Sequence, residues 1–357
     1  MRRSSSTRAT RPSSAARPRR RSTSSDGGRA VRRDLAHGAA GFIGSHLVDR
    51  LLARGERVVG IDCFDTFYDP RIKRRNLEGA LSQPRFTLVE GDIRDGALLR
   101  RTIEDNGVDV VVHLAARAGV RPSLENPELY ADVNVRGTTL IFETARAAGV
   151  KRVVYASSSS VYGGNVKVPF SEDDAVDHPV SPYAATKKAN ELLAHVYHRV
   201  YGMTMVGLRY FTVYGPRQRP EMAIAKFTTL IDEGRPIPFY GDGHSRRDYT
   251  YIDDIVDGTI AALDRGEGHC VYNLGESATT TLADLVAGIG RVVGREPVLE
   301  RLPDQPGDVP VTYADVSRAR RELGYDPRVP VAEGLRRYVE WYRDQRRVRG
   351  ESERESR

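Results

Sequence analysis

The chain has 357 residues, enough for one large α/β unit or two domains that share a core. Its hydrophobic share of 39% suits a globular protein, and no apolar run approaches the ~20 residues of a membrane-spanning helix, so no membrane partner is expected. The net charge of +7 is lopsided: residues 1–33 hold eleven arginines and one acid, Asp26, and the rest sums to −3, which excludes a basic nucleic-acid-binding core.

Residues 1–34 are rich in Arg, Ser, Pro and Thr and poor in apolar side chains. Such a segment buries too little surface to offset its ordering entropy, so it is expected to be a disordered tail. It lacks the amphipathic pattern of a transit peptide, the apolar stretch of a secretory signal and the aromatics that stack on bases. Cys63 and Cys270 cannot build a disulfide framework and suit a reducing, cytoplasmic setting.

Residues 30–37, AVRRDLAH, stand where a first buried strand belongs. Such a strand should read as a continuous apolar run, yet Arg32, Arg33 and Asp34 interrupt it. Either the strand is short and damaged or the reading frame upstream of about residue 36 is wrong; the abrupt change at Gly38 favours the second.

From Gly38 the pattern is regular. Gly38-Ala39-Ala40-Gly41-Phe42-Ile43-Gly44 is a glycine-rich turn, residues 45–54 read as a helix, and residues 58–62 as a strand ending in Asp62. Glycines let the backbone approach a pyrophosphate, and the helix N-terminus offers free N–H groups. Asp62 is placed to accept hydrogen bonds from an adenosine ribose and to repel a 2′-phosphate, so the expected cofactor is NAD. Strands follow at 86–89, 108–114 and 153–157, with helices at 98–106 and 130–148. Strands alternating with helices predict a Rossmann-type, doubly wound parallel sheet with ligands at the strand C-termini. Asp92, Ala115, Ala116 and the run from Ser157 to Ser160 fall at those ends.

Ser181-Pro182-Tyr183-Ala184-Ala185-Thr186-Lys187 opens another helix, with Pro182 in its first turn. Tyr183 and Lys187 are four apart and share a face. A phenol titrates near ~10 and is a poor base at neutral pH unless a cation lowers its pKa. Lys187 is the expected cation, and the hydroxyls of the Ser157–Ser160 run the expected partners of the reacting oxygen.

Together, Gly38 to Gly44, Asp62, Asp92, His113 to Ala116, Ser158, Tyr183 and Lys187 resemble the extended short-chain dehydrogenase/reductase family of nucleotide-sugar epimerases and dehydratases. The resemblance runs from about Gly38 to about Tyr342. Phe67-Tyr68-Asp69-Pro70, the segment from Leu114 to Arg121, the segment from Arg209 to Pro220 and Gln305-Pro306-Gly307-Asp308-Val309 resemble UDP-glucuronate 4-epimerases. UDP-glucose 4-epimerases usually carry Asn where Thr212 stands and Arg where Gln305 stands. His37 stands in place of a usual Thr, and Arg117 in place of a usual Gln.

The resemblance implies an NAD-binding domain over 35–211, to which strands near 250–275 return, a smaller α/β substrate domain over 212–345, and a charged tail over 346–357. It implies catalytic Ser158, Tyr183 and Lys187. It places Gly38, Gly41, Phe42, Ile43, Gly44, Asp62, Asp92, Ile93, Leu114, Ala115, Ala116, Asn134, Tyr183, Lys187 and Tyr210 around NAD. It places Arg121, Ser159, Ser160, Thr212, Arg219, Arg247, Gln305 and Asp308 around a UDP-sugar. A homodimer is expected, and no metal. The activity implied is C4 epimerisation of UDP-glucuronate. The alternatives are a UDP-glucose 4-epimerase, a UDP-glucuronate decarboxylase, a 4,6-dehydratase, which would need an acid pair after the catalytic serine, and a non-catalytic NAD sensor.

Overall fold

Short runs of Val, Ile and Leu without a polar face become inner strands only where both sheet faces are covered. The computed structural model describes residues 31–303 and 309–355, with side chains through Val348. Most of the expected tail, Gln305 and Asp308 lie outside the described residues. Seven strands form the main sheet: β1 (Arg33–His37), β2 (Arg57–Asp62), β3 (Phe86–Glu90), β4 (Val110–His113), β5 (Arg152–Ala156), β6 (Thr204–Tyr210) and β7 (His269–Leu274). They are parallel, in the order β7-β6-β5-β4-β1-β2-β3. Alternate residues serve opposite faces: Val110, Val112, Val154 and Val206 join one core, and Val111, Val153 and Met205 the other.

The first strand corrects the sequence expectation. Arg33 and Asp34, assigned to the tail, lie in β1, whose Leu35 pairs with Val59 and Val111. Asp34 is fully buried, and its charge is met by Arg32 Nε at 2.6 Å; Arg32 Nη1 also reaches Asp264 at 2.9 Å. Burial pushes the Asp34 carboxyl up to about 6 against the pull of Arg32. A charge interrupts this apolar strand because a guanidinium at its edge neutralises it.

Helix α1 (Phe42–Ala53) starts three residues earlier than the sequence suggests, because Gly41 takes the extended conformation of an N-cap. Helix α2 (Gly96–Asn106) is capped by the Asp95 side chain. The long helix expected over 130–148 is broken: Ala131–Arg136 winds in wider π-type turns before α3 (Gly137–Ala147). Helix α4 (Pro182–Tyr201) carries Tyr183 and Lys187, and α5 (Ile252–Arg265) leads back to β7.

After β6, short strand pairs build a second layer: Thr212–Tyr214 with Tyr249–Tyr251, Ile237–Tyr240 with Leu299–Leu302, and Arg246–Arg247 with Thr280–Thr281. The terminal helix runs Val331–Glu355, so the tail expected from 346 is helical through Glu355.

His37 ends β1 fully buried, with neither ring nitrogen hydrogen-bonded, edge-on to His113 at 5.7 Å between ring centroids. Burial pulls His37 down to about 3. Between about pH 6.5 and 3 the unfolded chain therefore binds a proton at this residue that the fold does not, and stability falls with pH by up to about 1.4 kcal/mol per unit. His37→Thr should flatten the pH dependence of the melting temperature below pH 6.5. An unchanged slope would mean that His37 is protonated in the fold.

Candidate active site

The C-terminal ends of β1, β2, β4, β5 and β6 open onto one cleft of about 430 Å³. The glycine turn forms its floor. Gly38 has φ +79°, and a Cβ there would stand 2.8 Å from the Ala115 amide nitrogen. A Cβ on Gly44 would stand 1.9 Å from the Gly38 carbonyl oxygen, so the turn closes only without side chains. No side chain caps the start of α1, which leaves its N–H groups for a ligand.

Asp62 ends β2 at the cleft wall. Its carboxylate accepts from the amides of Ala40 and Phe64, each at 2.9 Å. Burial pushes the carboxyl up, and the two amide bonds oppose it. Asp92 is bound two-pronged by Arg94 at 2.9 and 2.6 Å, which holds it below the usual carboxylate range. Ile93, Leu114, Ala115, Ala116 and Tyr210 line the same cleft with Gly38, Gly41, Phe42 and Ile43.

Two residues expected at the cofactor do not line the cleft. Gly44 serves the turn from behind. Asn134, in the π-type segment, clamps the Arg117 backbone by accepting from its amide at 2.8 Å and donating to its carbonyl at 2.9 Å.

Ser181 caps α4 by accepting from the Ala184 amide, and Pro182 occupies the first turn. Ser158, Tyr183 and Lys187 meet in the cleft. Burial pushes the Tyr183 phenol up; the nearby Ser158 hydroxyl and the charge of Arg219 pull it back. Lys187 Nζ donates to the Ala156 carbonyl at 2.7 Å, lies 5.9 Å from the Tyr183 ring centroid, and is drawn down to about 8 by burial. Arg219 is thus a cation near the Tyr183 phenol beside the Lys187 that the sequence pointed to.

Ser159, Ser160, Thr212 and Arg219 line the cleft beside Tyr183. Ser157 does not offer a free hydroxyl: it donates to Glu191 at 2.6 Å. Arg121 packs 5.4 Å from the Tyr240 ring, and Arg247 donates to the carbonyls of Arg246 and Pro310; neither lines the cleft. Sequence reasoning missed the role of Phe67, whose ring carries the guanidiniums of Arg117 at 5.4 Å and Arg219 at 5.6 Å. Arg117 is itself paired with Asp65 at 2.8 Å, and Arg219 with Glu221 at 3.2 Å. Among the described residues no cluster of three or more His, Cys, Asp or Glu is placed to hold a metal ion, and no helix is long and apolar enough to cross a membrane.

The strand order and glycine cradle define a short-chain dehydrogenase/reductase of Rossmann type. Within that class the chain belongs to the GDP-mannose 4,6 dehydratase family, whose model matches residues 35–338. It is 44% identical to UDP-glucuronate 4-epimerase 4 of Arabidopsis thaliana, over 86% of this chain and 74% of that one. The structure of UDP-glucuronic acid 4-epimerase from Bacillus cereus, solved with UDP-glucuronic acid and NAD, superposes with a TM-score of 0.83 at 36% identity, covering 88% of this chain and 99% of that one. A dTDP-glucose 4,6-dehydratase from Streptomyces venezuelae, DesIV, superposes with the same TM-score and identity, covering 88% and 98%.

The glycine cradle, the uncapped helix start and the Asp62 carboxylate fit NAD. Gly44→Ala forces a methyl group into the Gly38 carbonyl. It should abolish NAD binding in a fluorescence titration and lower the melting temperature. Wild-type NAD affinity in this variant would show that the turn does not cradle the cofactor.

Proposed function

We propose that this protein interconverts UDP-glucuronate and UDP-galacturonate by NAD-dependent epimerisation at C4. The observation that carries the reading is one cleft in which Ser158, Tyr183 and Lys187 adjoin two hydroxyl-rich walls, Ser159-Ser160 and Thr212, and the Arg219 guanidinium. Kinship to UDP-glucuronate 4-epimerases supports it.

Held by the glycine turn, the start of α1 and Asp62, NAD would supply the acceptor for the C4 hydride of the sugar and the donor for its return to the opposite face. The chain supplies the rest. Ser158 and Tyr183 hold the 4-hydroxyl, and Tyr183 Oη takes its proton and later gives it back. Lys187 orients the cofactor ribose. Arg219, through its charge at the phenol, offsets part of the burial that keeps Tyr183 protonated. The same guanidinium, with Ser159, Ser160 and Thr212, receives the uronate carboxylate. Arg247 takes the UDP phosphates, and Gln305 and Asp308, outside the described residues, complete the nucleotide end.

The finer assignments are a cytoplasmic location, in keeping with the free thiols Cys63 and Cys270, and a homodimer. The exposed Leu192, Val196 and Val200 recur every four residues on α4 and form an apolar stripe suited to a second copy across a two-fold axis. Sedimentation of the purified protein reads the stoichiometry directly.

Proton NMR of the protein with UDP-glucuronate should show UDP-galacturonate appearing. Turnover of UDP-glucose should be roughly one to two orders of magnitude less efficient, the worth of one hydrogen bond to a charged group. Tyr183→Phe should bind NAD and lose about 10²–10⁴-fold in rate. Equal efficiency on UDP-glucose, a UDP-pentose as main product, or a fully active Tyr183→Phe each contradicts the assignment.

A further inference from the structure

The end of β5 is tied to α4 at two successive residues. Lys187 Nζ donates to the Ala156 carbonyl at 2.7 Å, and the Ser157 hydroxyl donates to Glu191 Oε1 at 2.6 Å. The next residue, Ser158, lines the cleft with Tyr183, and its hydroxyl accepts from the Ser160 amide at 3.1 Å. The helix partners, Lys187 and Glu191, continue the spacing of four that starts at Tyr183 along one face. Glu191 is therefore the third member of the face that carries the two residues sought from the sequence, and it is buried.

Its carboxylate is held from the other side by Arg209 on β6. Arg209 Nε and Nη2 donate to Glu191 Oε1 and Oε2 at 2.8 and 2.9 Å, a two-pronged pair buried at both ends. Arg209 Nη1 also donates to the Tyr162 hydroxyl at 2.9 Å, and that hydroxyl donates to Asn273 Oδ1 at 2.7 Å. Ser157 and Tyr162 flank the serine run from Ser158 to Ser160. Both ends of the run thus lead to one ion pair.

We propose that Glu191, acting through Ser157 and backed by Arg209, is a positioning residue that sets the serine run against the catalytic face of α4. An isolated buried carboxylate would be costly, and a hydrophobic pair of the same volume would give equal or better stability. What an ion pair adds is direction: Glu191 Oε1 accepts from both Ser157 and Arg209 Nε, Oε2 accepts from Arg209 Nη2, and Arg209 Nη1 is left for Tyr162. The Ser158 hydroxyl and the Tyr183 phenol must both meet one substrate oxygen, and a shift of 1 Å there is expensive in rate. Neither Arg209 nor Glu191 lines the cleft; they act through Ser157 and the strand end.

The inference rests on the reading of Ser158, Tyr183 and Lys187 as the catalytic set. The test is Ser157→Ala, which removes one hydroxyl and leaves the ion pair in place, measured beside wild type and Tyr183→Phe. The expected variant melts near wild type, keeps NAD and keeps KM for UDP-glucuronate within about twofold, while kcat falls about tenfold to a hundredfold, the fold-change of one hydrogen bond to a charged group. Its C4-deuterium isotope effect on kcat should not be smaller than that of wild type, because the chemical steps become more limiting. A folded, NAD-loaded Ser157→Ala enzyme with wild-type kcat overturns the proposal. So does loss of NAD or a collapsed melting temperature, which would make the contact a support of the fold alone. If Tyr183→Phe is also fully active, the catalytic set itself is wrong. If Tyr183→Phe is inactive and Ser157→Ala is not, only the positioning role fails.

Discussion

The site exists because a parallel sheet covered on both faces ends all its strands at one edge. Backbone groups and side chains at that edge have no further strand to pair with, and the helices that follow start there with free N–H groups. Here the edge is made by β1, β2, β4, β5 and β6, and the turns after them supply the glycine cradle, Asp62, the Leu114–Ala116 segment and the serines. Every other feature adjusts polar groups to that buried edge. Asp62 satisfies both carboxylate oxygens with backbone amides, and Asn134 leaves ordinary helical geometry to clamp the Arg117 backbone. A π-type segment costs helix hydrogen-bond geometry, and such segments recur where a side chain is needed at a site.

Burial and charge pull against each other at the reactive pair. Burial alone would hold Tyr183 as a neutral phenol and weaken the Lys187 ammonium, and both directions are present. The chain counters with the Ser158 hydroxyl and the charge of Arg219 near the phenol, and with a carbonyl acceptor, Ala156, for the ammonium. In the proposed reading, Arg219 would link substrate choice to base strength. A guanidinium placed for a carboxylate also lies within electrostatic reach of the proton acceptor, so neutralising it on substrate binding would change both at once.

What was legible in the sequence follows from how local the signals are. The glycine turn, Asp62 and the Tyr183–Lys187 spacing are short-range patterns, and they fall together in the cleft. The first strand was not legible, because Asp34 is balanced by Arg32, and that guanidinium is held in turn by Asp264, more than two hundred residues away. The long helix over 130–148 read as continuous since its apolar period is unbroken; the break comes from a tertiary bond between Asn134 and the Arg117 backbone. Glu191 had the spacing of Tyr183 and Lys187 all along. Its meaning needed Ser157 and Arg209, which only folding brings to it.

The fold itself does not separate epimerase from dehydratase, because solved examples of both superpose equally well on this chain. The distinction has to come from what surrounds the oxidised sugar. Elimination across C5 and C6 needs an acid and a base beside the catalytic serine, and Ser159 and Ser160 stand there instead, two neutral hydroxyls on the cleft wall. With UDP-glucuronate the competing outcome is loss of carbon dioxide, since the 4-keto sugar is a β-keto acid. That loss requires the breaking C–C bond to stand perpendicular to the C4 carbonyl. A carboxylate gripped by Ser159, Ser160, Thr212 and Arg219 is fixed in orientation as well as bound. If the grip holds that bond near the carbonyl plane, the same contacts that select a uronate also protect it. Epimerisation then follows from hydroxyl groups that hold the carboxylate still and offer no acid or base for a further reaction.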